Sequence, residues 1–352
     1  MLASILVEPG KIELSEVEMQ KPSYGEILVK IEAALTCGTD LKAFLRGHDL
    51  IPMPGVFGHE FSGVVTEAGK GIRRFREGDA VMAVHTAPCL RCFFCRKRLY
   101  NLCEKIMQTK VLGAFAEYIL LPSHIVKQNV FHKPKNLSFE EASFLEPLSC
   151  VVHSVDPLRI KKGDSVLILG AGPIGLLHLL LLKRKGAKVA VADIKEERLK
   201  IAKQLGADFI VKSNNLTSPF LPPLRPPLVR GGWGGGIGFD YVFECTGMPD
   251  VWKASVNYVR RGGTVVLFGG CKSGTTVTYD AGRLHYDEIT LKGVFHYTPS
   301  DVKKAYRLLR EGKLGVSRLI SGRYSLQHTQ EAFEKLSRGE GIKYVIIPAA
   351  DI

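Results

Sequence analysis

Over the first 135 residues the apolar positions fall in short runs, ILVKIEAAL (27–35), FSGVVTEA (61–68), DAVMAVH (79–85) and FAEYILLP (115–122). Glycine, proline or charged clusters separate them, which predicts the strands of an irregular β domain. Ser138 and Glu141 have the spacing of a capping box opening a helix over SFEEASFLE, and Glu146-Pro147 starts a second helical run with proline in its first turn. From Asp164 the pattern becomes strand and helix by turns. Strands are expected at SVLILG, VAVAD, DFIV, YVFEC, TVVLFGG and ITLKGVF. Helices are expected over Pro173 to Lys185, Lys195 to Leu205 and WKASVNYVR. Such alternation indicates an α/β fold with a parallel, doubly wound sheet. A helix over SDVKKAYRLLREGKL, one further helix and the strand IKYVIIP complete the chain.

The longest apolar run, Ser165 to Leu182, approaches the roughly 20 residues of a membrane span. Three glycines, a proline and a histidine interrupt it, so a buried strand, a turn and a helix are expected there. The segment 213–238 holds SNNLTSPFLPPLRPPLVRGGWGGGIG, whose prolines and glycines suit an extended surface insertion in which Phe220 and Trp233 pack locally.

The chain has 352 residues, 45% of them hydrophobic and 24% charged, enough for two domains with real cores and unlike a disordered or fibrous protein. No export signal is visible at the N-terminus, so a cytoplasmic protein with reduced cysteines is expected. A net charge of +13 with clustered cysteines raises the possibility of a zinc-bearing nucleic-acid binder. The basic residues are scattered, however; Lys183, Arg184, Lys185 and Lys188 flank an expected helix end, where cations suit the dipole. Neither a nucleic acid nor a membrane is expected as partner.

Two motifs carry chemistry by themselves. Gly170-Ala-Gly172-Pro173-Ile174-Gly175 follows an expected strand and opens a helix, and Asp193 ends the next strand. That is the context of a dinucleotide fingerprint, with the glycines for the turn, the pyrophosphate approach and helix packing, and the acid for the ribose hydroxyls. Asp193 favours NAD over NADP, against the pull of nearby Lys195 and Arg198. Cys89, Cys92, Cys95 and Cys103 form C-x2-C-x2-C-x7-C, a spacing suited to a closed, structural zinc shell. Cys37, His59, Glu60 and Glu146 are further candidate zinc ligands, and the choice between the two glutamates is open. Cys150, Cys245 and Cys271 are expected as small core residues.

Taken in order, TCGTD, PGVFGHEFSGVV, FREGDAV, the four cysteines, GAFAEYILLP, EPLSCVVHSV and the glycine fingerprint resemble the zinc-dependent medium-chain alcohol dehydrogenases. The likeness is to their polyol (sorbitol) and threonine dehydrogenase branch. It implies a GroES-like catalytic domain over 1–150 and 290–352, and a Rossmann NAD-binding domain over 151–289. It further implies one catalytic zinc, held by Cys37, His59 and Glu60 or Glu146, one structural zinc, and a homodimer or homotetramer. The expected substrate is a small secondary alcohol, chiefly a polyol; L-threonine and simple alcohols are alternatives. Thr39 matches the family hydroxyl that takes the substrate proton. Lys42 stands where many relatives carry a histidine, which suggests a contact to cofactor or substrate. Phe44, Arg46, His48 and Phe115 are candidate pocket residues.

Overall fold

The computed structural model describes residues 1–213 and 238–348, so the Pro/Gly-rich segment, with Phe220 and Trp233, lies outside the described residues apart from its two end positions. The chain divides into two compact units, Met1–Val152 with His296–Ile352, and His153–Phe295.

The second unit is a six-stranded sheet in which every pairing is parallel. Its strands lie in the order Phe209–Lys212, Lys188–Asp193, Ser165–Leu169, Phe239–Glu244, Val259–Leu267, Thr290–Gly293. Counted along the chain this is 3-2-1-4-5-6, the doubly wound order in which ligands bind beyond the strand ends where the winding reverses. Ser165–Leu169 is buried at every position, as a strand covered on both faces must be. The apolar run therefore resolves into this strand, a turn and the helix Pro173–Arg184. Among the described residues no helix is long and apolar enough to cross a membrane.

Two expectations change here. The helix over WKASVNYVR ends at Ser255, and Val259 already begins the next strand. Tyr258 and Val259, both strand-favouring, pack in the core against Phe239 and Val242 instead of extending the helix. The second break between units falls at Phe295/His296, six residues beyond the expected 289/290, because Thr290–Gly293 pairs with Val259–Leu267 as the sheet's last strand.

The first unit holds a three-stranded sheet, Lys11–Glu16, Leu2–Glu8 and Gly55–Val56, and a seven-stranded one. The larger runs Ile320–Ser325, Lys343–Ile347, Ile27–Leu35, Glu60–Ala68, Ala80–Val84, Val130–His132, with Tyr118–Leu121 also paired to Ile27–Leu35. Both bonds of the Ser138–Glu141 capping box are made, and a second box, Thr298 with Asp301, opens the helix Pro299–Arg310. Phe44, Phe57, Phe115 and Phe333 form one aromatic cluster, with ring centroids 4.8–5.7 Å apart. Phe44 and Phe115 are thus buried core residues and not pocket walls.

Candidate metal centre and dinucleotide turn

Sheet register assembles the first site. Leu35 pairs with Glu60 on one side and with Val345 on the other. Running those registers on by two positions sets Thr36 opposite His59 and Cys37 opposite Gly58 on one side, and Cys37 opposite Lys343 on the other. Cys37 leaves the strand as N-cap of the helix Gly38–Arg46, whose first turn carries Thr39, half-buried, and Asp40, fully buried. Ligand atoms of Cys37, His59 and Glu60 lie within 4.8 Å of one another.

The surroundings suit a cation. Nδ1 of His59 is 3.2 Å from Oδ1 of Asp40, which orients the ring as carboxylates orient ligating imidazoles. Burial opposes charge on His59, yet Asp40 and Cys37 carry its pKa well above the ordinary range. Burial, then Glu60, pushes the Cys37 thiol up. Lys343, also buried, donates to an Oε2 lone pair of Glu60 and, at 2.7 Å, to the carbonyl of Thr36. Burial raises the Glu60 pKa against the pull of that ammonium. The other oxygen, Oε1, is buried with no hydrogen-bond partner. A thiol, an imidazole and a carboxylate with one orphaned oxygen fit the chemistry of zinc, leaving a fourth position for substrate or solvent.

The two candidate glutamates part. Glu60 groups with Cys37 and His59, whereas Glu146 groups with Cys150 and His296. Burial pushes the Glu146 carboxyl up to about 7. His85, next after the strand Ala80–Val84, stands between these groups, its ring 4.8 Å from that of His59 and 5.6 Å from that of His296. Asp40, His85, His296, Tyr297 and Lys343 are all missed by motif reading; a lysine in the apolar strand IKYVIIP is the one legible anomaly among them. His48 is half-buried, and burial followed by the charge of Lys42 lowers its pKa. Arg46 is exposed at its helix end.

The four cysteines lie together, their Sγ atoms within 4.8 Å of one another. The backbone N–H of Cys92 donates to Cys89 Sγ at 3.4 Å and that of Cys89 to Cys103 Sγ at 3.3 Å. Backbone donation, first from Arg91, lowers the Cys89 pKa to about 6, while burial pushes Cys95 up to about 12. Four converging thiols, two of them buried with Ile106, match a closed tetrahedral zinc shell.

In the second unit the glycine turn has the cradle that a dinucleotide needs. Gly170 turns out of its strand at φ +101°. A Cβ on Gly175 would meet the carbonyl oxygen of Gly170 at 1.9 Å, so only glycine lets helix and strand approach this closely. A Cβ on Gly172 would meet nothing within 4 Å; this N-cap of Pro173–Arg184 faces open space. Pro173 fills the first helical position and Ile174 follows it. Asp193 is buried and accepts from the N–H of Ala171 at 2.6 Å and of Lys195 at 2.8 Å, one bond to each oxygen. Each oxygen keeps a second lone pair for a ribose hydroxyl. Arg198 lies in the following helix, Glu196–Gln204, its Nε buried without a partner.

Both a domain family and an enzyme family match the chain. Residues 23–134 match the alcohol dehydrogenase GroES-like domain, and residues 173–311 match the zinc-binding dehydrogenase family. A D-arabinitol dehydrogenase of Uromyces fabae is 30% identical over 99% of this chain and 97% of its own. Sheep (Ovis aries) sorbitol dehydrogenase is 32% identical over 98% and 96%, and a Pyrococcus horikoshii L-threonine 3-dehydrogenase 32% over 99% and 98%. A putative zinc-binding dehydrogenase of Sinorhizobium meliloti, solved with NADP, superposes with a TM-score of 0.86 at 31% identity, covering 99% of each chain. The chain thus belongs to the zinc-binding, medium-chain alcohol dehydrogenase family, on its polyol dehydrogenase branch.

Proposed function

We propose that this chain oxidises a polyol at a secondary hydroxyl to the ketone, and reduces the ketone in reverse, using zinc and NAD. The observation that carries the reading is the donor set Cys37, His59 and Glu60 on a chain that also bears a complete dinucleotide turn. Zinc at that set supplies Lewis acidity toward the substrate oxygen, and NAD supplies the hydride acceptor.

The chain's own residues do the rest. Asp40 fixes the ring of His59, and Lys343 balances the charge of Glu60 so that the carboxylate keeps its place while buried. Thr39 is assigned to relay the proton of the substrate hydroxyl, accepting it while passing its own on towards the cofactor ribose. Backbone N–H groups at the start of Pro173–Arg184 hold the pyrophosphate, with Gly172 leaving room for it. Asp193 receives the ribose hydroxyls, and its charge disfavours a 2′-phosphate, which supports NAD. Cys89, Cys92, Cys95 and Cys103 are assigned to the structural zinc.

A homo-oligomer in the cytoplasm fits this reading, and cysteines that form no disulfide suit a reducing compartment. Some basic residues are paired within the fold, as in Lys183–Asp208 and Arg260–Asp240, and no nucleic acid is part of this reading. L-threonine is the second substrate reading, favoured by the Pyrococcus relative. The test is NADH formation over sorbitol, xylitol, D-arabinitol, L-threonine and a simple secondary alcohol, repeated with NADP. Turnover of a polyol with NAD is expected; turnover of L-threonine alone would replace the substrate class.

A further inference from the structure

The chain's net charge of +13 leaves cations that the fold does not pair, and three of them meet at one cavity of the first unit. The helix Ser123–Asn129 packs against the helix Pro299–Arg310. Lys127 of the one and Lys303 of the other line a cavity of about 350 Å3. Arg74 joins them from the turn that precedes Phe75, and Leu90 and Tyr100 line it from the four-cysteine stretch. Among the described residues none of the three cations is in an ion pair, and no acidic side chain lines the cavity. Like charges facing one space repel one another, and an anion placed among them relieves that repulsion. We propose that this cavity binds a phosphate monoester, with the phosphate held by Arg74, Lys127 and Lys303 and the organic part lying against Tyr100 and Leu90.

The walls select the ligand. The volume falls within the roughly 300–1,000 Å3 of small-molecule sites, more than a bare phosphate fills. Arg74 is the member held in place. Its guanidinium carbon stands 4.9 Å from the ring centroid of Phe75 and 5.7 Å from that of Phe131, which also lines the cavity. Tyr306 in turn stacks on Phe131, with centroids 4.8 Å apart. Such cation–π contacts fix a guanidinium before the ligand arrives, and its fork matches two phosphate oxygens at once. The two lysines are point charges on flexible stems, which adjust to the remaining oxygens. Leu90 is exposed and Tyr100 half-buried, an apolar surface beside a ring and a hydroxyl. A sugar phosphate and a nucleoside monophosphate both carry this chemistry.

None of the lining residues belongs to the donors Cys37, His59, Glu60 and Glu146 or to the glycine turn, so the inference stands apart from the substrate reading. Protein saturated with zinc and NADH, so that the dinucleotide turn is filled, is titrated calorimetrically with ribose 5-phosphate, with adenosine monophosphate and with inorganic phosphate. At least one monoester should bind more tightly than inorganic phosphate, the tighter of the two naming the source as sugar phosphate or nucleotide. Its affinity should fall as salt rises. Arg74→Ala and the double variant Lys127→Ala/Lys303→Ala should each weaken it by at least about tenfold, the scale of lost charge-assisted bonds. Lys97→Ala removes an exposed cation that does not line the cavity and should leave the affinity unchanged. Arg74, Lys127 and Lys303 are exposed, so the melting temperature should hold in these variants and report folded protein. Inorganic phosphate bound as tightly as both monoesters overturns the proposal. So does a monoester affinity unchanged in the double variant or lowered equally by Lys97→Ala, and so does the absence of binding at millimolar ligand.

Discussion

Lys343 and Glu60 are 283 positions apart and form a fully buried ion pair at the edge of the metal donor set. In the metal-free protein each is the other's nearest counter-charge, so removing one strands the other. Lys343→Met should cost about 3–5 kcal/mol of stability, the usual penalty for an uncompensated buried charge. The double variant Lys343→Met/Glu60→Gln should regain most of that in urea unfolding. Equal losses in single and double variants would show that the pair does not stabilise the unit.

The glycines of the dinucleotide turn have separable effects. Gly172→Ala adds a methyl group that meets nothing in the protein, at a backbone of φ −73° and ψ −178° that alanine accepts. It should fold with an unchanged melting temperature and bind NADH about tenfold or more weakly, by fluorescence titration, as the methyl blocks the pyrophosphate from its N–H donors. Gly175→Ala drives a Cβ into the Gly170 carbonyl and should destabilise the unit itself. Unaltered NADH affinity in Gly172→Ala would move the pyrophosphate elsewhere.

His178 makes the second unit sensitive to acid. Its Nδ1 donates to the carbonyl of Ile174 at 2.9 Å and its Nε2 accepts from Ser154 at 2.8 Å, an arrangement satisfied by the neutral ring. Burial drives its pKa down to about 4 from an ordinary 6.5. Because the folded value lies below the unfolded one, its stabilising contribution is complete above pH 6.5 and declines as pH falls toward 4. The full span is worth about 3 kcal/mol. Comparing urea midpoints of wild type and His178→Gln at about pH 7 and about pH 5 isolates the effect: the wild type should lose more on acidification. Parallel losses would mean that His178 is not the titrating group.

Removal of the four-cysteine shell should act locally. Cys103→Ser should lower the zinc content by one equivalent and open the stretch around Cys95 and Ile106, which has little other core, to proteolysis. Full zinc content in this variant would show that the four thiols do not hold a metal.

Much of the fold is legible from local pattern. The second unit's strands announce themselves as apolar runs between turn residues, and the glycine turn reads through because strand, turn and helix adjoin in sequence. WKASVNYVR reads past its true end because helical spacing persists where sheet pairing has already claimed Val259. The candidate site is legible only in part. TCGTD and FGHEF mark Cys37, Thr39, His59 and Glu60, but the burial of Asp40 against His59 and of Lys343 against Glu60 depends on which strands become neighbours. Phe44 and Phe115 look like pocket walls in one dimension and prove to be core, since their ring partner Phe333 lies over 200 residues downstream.

The order in which the ribosome delivers the first unit follows from its two separate stretches of chain. Glu60 emerges early, while the ammonium that neutralises it follows 283 residues later, roughly 15–60 s at ordinary rates of synthesis. Until then Ala34 and Leu35, already paired with Phe61 and Glu60, lack the strand Lys343–Ile347 on their other side. The nascent chain therefore carries an open sheet edge beside an unbalanced buried carboxylate through most of its translation, a state that invites wrong pairing. The half of the molecule made first is the half finished last.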